Sequence, residues 1–129
     1  MKKLHALHNE KACDYLLESK QYNDWVVTTA FYAALHYVQF ELFPLKDDNE
    51  VYANFNIYFS KVLKKKNTKL SKHSATIKLV SAHIKTASSY YRWLHDTCMT
   101  SRYSDYKVSE MKAQTAKKFL LELKKQLRK

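Results

Sequence analysis

Not one glycine occurs in this chain. Glycine reaches positive φ at little cost, so any turn that needs that conformation must use Asn, Asp or a similar residue. This argues against tight hairpins. It also excludes the phosphate loops of P-loop and dinucleotide-binding folds, which require glycine. Pro44 is the single proline. With 129 residues, 46% of them hydrophobic and 27% charged, the chain is long enough for one domain with a real core.

The segment Asp24 to Leu42 reads DWVVTTAFYAALHYVQFEL. Val26, Ala30, Ala33, Tyr37 and Phe40 recur at three and four residues, the spacing of an apolar helical stripe. Trp25, Thr29, Tyr32 and His36 make a second, hydroxyl- and imidazole-bearing stripe beside it. A helix apolar on nearly all sides is a buried central one, and its Thr, His and Gln residues make it a poor membrane span. Buried Tyr and His need hydrogen-bond partners. The second stripe therefore faces either an internal polar network or a ligand.

Other helices arrange themselves around this one. Lys3 to Lys20 shows Leu4, Leu7, Ala12, Tyr15 and Leu16 as an expected buried stripe. The short link Gln21–Asn23 makes it an antiparallel neighbour of the central helix. Asp24 is the expected N-cap, and Pro44 sets the C-terminal end near Phe43. A further helix begins at Ser71 or Lys72 and carries Ile77, Val80, Ile84, Ala87, Tyr91, Leu94 and Cys98, either unbroken or divided near Thr86–Ser89. The last, capped by Ser109, shows Met111, Ala116, Phe119, Leu120, Leu123 and Leu127. Nothing reads as a strand. The expected fold is all-α, an up-and-down bundle of four or five helices in one domain over residues 1–129.

Charge is distributed unevenly. Residues 1–50 carry a net −3, residues 51–95 carry +9 with no acid at all, and residues 96–129 carry +5. The acid-free third contains Lys61, Lys64, Lys65, Lys66, Lys69 and Lys72. Such a block fits a polyanion partner or a solvated loop. Just before it, Tyr52, Phe55, Tyr58 and Phe59 stand at helical spacing. They fit either core packing or a stacking surface for single strands, and Val51 to Phe59 also offers a contact surface to a protein partner.

Two distant cysteines, Cys13 and Cys98, suggest reduced thiols in a reducing compartment, and with no apolar leader segment the expectation is a cytoplasmic protein. His5, His8 and Cys13 match no zinc spacing, so no metal and no cofactor is expected. Metal-free RNA cleavage needs a base for the 2′-hydroxyl, an acid for the leaving oxygen and a cation for the phosphorane. His36, His73 and His95 are candidates for proton transfer near neutral pH, and Arg92 and Arg102 for the phosphate clamp. Tyr32, Tyr103 and Tyr106 are candidates for base contacts, and Lys64, Lys65, Lys66, Lys69 and Lys72 for the phosphate backbone. Arg92 and His95 share a helix face, which is either functional or merely solvated. In SRYSDY, Arg102 either reaches a ligand or bonds to Asp105.

Three segments together resemble a known family: YLLESKQYNDW ending the first helix, VVTTAFYAALHYVQFEL as the second, and a later helix leading into SRYSDYKVSEMKAQTAKKFLLEL. With KHSATIKLV, which brings His73 to a helix start, they resemble the HEPN domain, the nucleotide-binding or RNase helical domain of prokaryotic toxins, defence systems and mobile elements. The resemblance covers most of the chain, with residues 45–72 divergent. It implies a four-helix core, frequent homodimers, and a cleft for RNA, single-stranded DNA or nucleotides containing His73, Arg102 and Tyr103. Active members resemble metal-independent RNases with an Arg followed four to six residues later by His. Here only two residues separate Arg92 from His95, and Arg102 has no His after it.

Overall fold

The computed structural model describes residues 2–129, and the fold is mostly helical. Helix α1 spans Lys2–Ser19 and α2 spans Asn23–Leu42. They run antiparallel: the Cys13 thiol donates to the Val26 carbonyl near the link, and His5 stacks on His36 at the far end. With no glycine available, Lys20 takes the left-handed position after α1, at φ 59°.

Helix α2 is central, as its composition dictates. Val26, Val27, Ala30, Phe31, Ala33, Ala34 and Val38 are completely buried. Around it pack α1, α5 (Lys72–His83), α6 (Ser88–Tyr103) and α7 (Glu110–Lys125). These contribute Ala6 and Cys13, Val80, Leu94 and Cys98, and Ala116, Leu120 and Leu123 to one core. Each large apolar side chain buried this way contributes about 2 kcal/mol. Ser71 and Ser109 cap α5 and α7, accepting from the Ser74 and Lys112 amides at 3.1 Å each. The long apolar run after Ser71 is divided: the 3-10 turn Lys85–Ala87 separates α5 from α6. Ser81 meets Ser88 and His73 meets His95 across the seam, so these two helices also run antiparallel.

Four expectations fail here. A hairpin does form, β1 (Leu45–Asp47) against β2 (Glu50–Tyr52). Asp48 and Asn49 supply its positive φ, at 49° and 68°, since their short polar side chains tolerate the left-handed region. The N-cap of α2 is Tyr22, with no side-chain cap, and the Asn23 amide instead donates to the Val108 carbonyl at 3.0 Å.

The face α1 buries is also different. Leu4 and Tyr15 are exposed, and Ala6, Glu10 and Cys13 point inward. Glu10 is tolerated there because Tyr37 Oη donates to it at 2.6 Å, Lys124 Nζ at 2.8 Å and Lys117 Nζ at 3.2 Å. Burial would raise the Glu10 carboxyl, but these donors outweigh it and hold the pKa below the ordinary value.

Of the readings open for the aromatic segment, core packing holds, since Phe55, Tyr58 and Phe59 are buried. They belong to α3 (Phe55–Tyr58) and the π-helical turn Phe59–Leu63 that joins it to α4 (Lys64–Lys66). Phe43 packs against Phe55 and Tyr58. The three rings are therefore core, one of the readings their spacing allowed, while Val51, Ala53, Asn54, Asn56 and Ile57 of the same segment stay exposed. Met111, expected in the core stripe of the last helix, is exposed, and Ala113 takes its place.

Candidate functional site

Phe31 of α2 is the floor on which two histidines from different helices meet. Its ring centroid lies 5.6 Å from that of His73 and 5.5 Å from that of His95. The two imidazoles are 5.5 Å apart. His73 comes from the first turn of α5, fixed by the Ser71 cap. His95 comes from the middle of α6, and Arg102 follows two turns later on the same side. One residue after Phe31, Tyr32 Oη accepts a hydrogen bond from Arg102 Nη1 at 2.9 Å. The guanidinium also lies over the Tyr103 ring, 5.3 Å from its centroid.

The two histidines are electrostatically unlike. Burial, then the nearby His95 and Arg102, push His73 below the ordinary imidazole value, so it is neutral at physiological pH and offers a lone pair. His95 has an anionic neighbour: its Nδ1 lies 2.9 Å from Asp96 Oδ1. A carboxylate oxygen only accepts, so His95 donates from Nδ1 and the contact fixes the ring with Nε2 directed away from Asp96. The guanidinium of Arg102 spends one donor on Tyr32 and keeps the others for an oxyanion. A lone-pair imidazole, an imidazole held by a carboxylate and a guanidinium thus lie close together beside α2.

The lysine tract ends, along the chain, beside this group. Lys72 immediately precedes His73. Lys64 and Lys72 lie over the Phe59 ring at 5.7 and 6.0 Å, and Lys72 Nζ donates to Asn56 Oδ1. Lys61, Lys65, Lys66 and Lys69 are exposed. The segment therefore presents cations outward and keeps its aromatic rings inside, with Tyr52 half-buried.

Several expected site residues lie elsewhere. Tyr32 and His36 are neighbours on α2 but turn to different partners. His36 is buried beneath the His5 ring, with centroids 3.7 Å apart, and its Nδ1 finds no hydrogen-bond partner among the described residues. Arg92 is exposed, one turn before His95 on α6. Tyr103 and Tyr106 are exposed, and Tyr106 lies in the link between α6 and α7. Asp105 accepts from the Lys107 amide, so the Arg102–Asp105 bond is not formed. Phe31 and Asp96 were not singled out from the sequence. The first was legible only as one more apolar residue of FYAALHY, and the second as the neighbour of His95 in HDT.

Among the described residues no group of three or more His, Cys, Asp or Glu side chains is arranged to hold a metal ion, and no helix is long and apolar enough to cross a membrane. Cys13 and Cys98 are buried, and burial raises both thiols. A scan against protein-family models and searches of curated proteins and of solved structures each return no match.

Proposed function

We propose that this chain is a HEPN-like module that binds single-stranded RNA, with phosphate seated at Arg102 between His73 and His95. The observation that carries this reading is the meeting of Arg102, His73 and His95 beside Tyr32, at the end of an acid-free lysine tract. Lysines of that tract would neutralise successive phosphates, a term that dominates such binding and weakens with salt. Tyr32 and Tyr103 flank the guanidinium and offer ring faces or hydroxyls to bases. A filter-binding titration with single-stranded RNA at two salt concentrations tests the reading. Arg102→Ala is expected to weaken binding about tenfold, and absence of retention at low salt on the unaltered protein would end it.

The Asp96 contact favours a second step at the same site, metal-independent cleavage. Neutral His73 would take the 2′-hydroxyl proton as the 2′-oxygen attacks phosphorus. His95, its ring oriented by Asp96, would act as the acid and give a proton from Nε2 to the departing 5′-oxygen. Arg102 would hold the charge of the phosphorane between. The products would be a 2′,3′-cyclic phosphate and a free 5′-hydroxyl, with one proton passed in and one out. Cleavage is expected to persist in excess EDTA and to fall at least about a hundredfold in His73→Ala and in His95→Ala. Equal cleavage by all three proteins would indicate another site or a contaminant.

A further inference from the structure

The seam between α5 and α6 continues past His73 and His95. The Ser81 and Ser88 hydroxyls meet across it at 2.9 Å. On α6, Ser88, Arg92, His95, Met99 and Arg102 alternate steps of four and three, which is one continuous helical stripe. Lys78 and Arg92 are both exposed along this stretch. Where Lys85–Ala87 joins the helices, a cavity of about 310 Å³ opens, bounded by Glu41, His83, Lys85, Thr86, Gln126 and Arg128. From His73 to His83, α5 rises roughly 15 Å, so the cavity lies at the far end of the seam that holds the histidine pair.

Its charge is mostly unused. Glu41 is the single acid at the rim, and its Oε1 is already engaged, accepting from the Arg128 and Lys129 backbone amides at 2.9 Å each. Lys129 Nζ donates to the Phe40 and Phe43 carbonyls at the end of α2. These bonds fix the final residues against α2 and deliver Arg128 to the cavity rim. Among the described residues, neither Lys85 nor Arg128 forms an ion pair. The rim thus offers a guanidinium, an ammonium, an imidazole and the Thr86 hydroxyl, which are the donors a phosphodiester accepts from.

We infer that this cavity is an exosite for the backbone of the RNA whose phosphate sits at Arg102, and that the strand lies along the α5–α6 seam with Arg92 and Lys78 between its two anchor points. The inference rests on the RNA-binding reading. A strand reaching both ends is held by more phosphate contacts than one confined to the histidine pair, so affinity grows with length until the cavity is reached.

The experiment compares a diribonucleotide with a decaribonucleotide of the same composition on the full chain, with Lys85→Glu/Arg128→Glu beside the unaltered protein. Both replaced side chains are at the surface, and circular dichroism checks that the helices are retained. The expected result is a loss of at least tenfold in decamer affinity and a salt slope smaller by about two, with dimer affinity changed less than twofold. Equal losses for both lengths, or no loss for the decamer, overturn the exosite while leaving binding at Arg102 standing. Retention of neither oligonucleotide by the unaltered protein overturns the parent reading and the exosite with it.

Discussion

His36 and His73 are both held below the ordinary imidazole range, and the two shifts have different consequences. For His73 the neutral form is what a proton acceptor requires. For His36, burial first, then the nearby His5 and Lys2, lower the pKa from 6.5 to about 4, and no ligand is implicated. The unfolded chain protonates this residue near pH 6.5 while the folded one resists until about 4. Stability is therefore full above pH 6.5 and falls as the pH drops towards 4, by at most about 3 kcal/mol. Urea unfolding at pH 7.5 and 4.5 checks this. His36→Leu is expected to lose markedly less stability than the unaltered protein over that interval, since other titrating groups are common to both. Equal losses would show that protonation of His36 is not what limits acid stability.

At the scale of the helices, the chain's lack of glycine has a measurable cost. Lys20 occupies the left-handed position after α1, where a side chain bearing Cβ loses about 1 kcal/mol relative to glycine. Lys20→Gly is expected to raise stability by about 0.5–1 kcal/mol in denaturant unfolding, and a decrease would show that the Lys20 side chain makes a contact worth more than the strain. The face of α1 gives a contrasting case. Its leucines and tyrosine are what periodicity marks as buried, yet Glu10 lies inside because Lys117 and Lys124, from a helix more than 100 residues later, satisfy it. Nothing local in α1 carries that information. Glu10→Ala is accordingly expected to cost about 1–3 kcal/mol by leaving Tyr37 and Lys124 without their acceptor while Lys117 keeps Asp14, readable as a drop in the unfolding midpoint. The α2 stripe, the Ser109 cap and the helix start at Ser71 or Lys72 were legible because each rests on local pattern alone, and the break before α6 was one of two readings of its segment. The hairpin was not, since Asp48 and Asn49 stand in for glycine there. The candidate site was legible in its chemistry but not in its assembly. His73, His95, Arg102 and Tyr32 announce themselves by residue type, whereas the role of Phe31 as the floor beneath the two histidines depends on how α2, α5 and α6 pack.

Over the whole molecule, the net charge of +11 would attract any polyanion, so an RNA titration alone does not distinguish a located footprint from a diffuse field. Two triple variants make the distinction. Replacing Lys64, Lys65 and Lys66 by Glu, or Lys112, Lys118 and Lys125 by Glu, lowers the charge from +11 to +5 in either case. All six side chains are exposed, so neither set is expected to shift stability by more than about 1 kcal/mol. The long-range field changes by a similar amount in both, but only the first set belongs to the tract that leads to Lys72 and His73. If phosphates contact that tract, the first triple weakens RNA binding at least about tenfold more than the second and reduces the salt slope by up to about three, one for each lost lysine contact. The second triple lies on α7 and is expected to slow association without changing the slope comparably. Indistinguishable losses would mean that the lysines act only through the sum of their charge, and the tract would then be a solubilising surface.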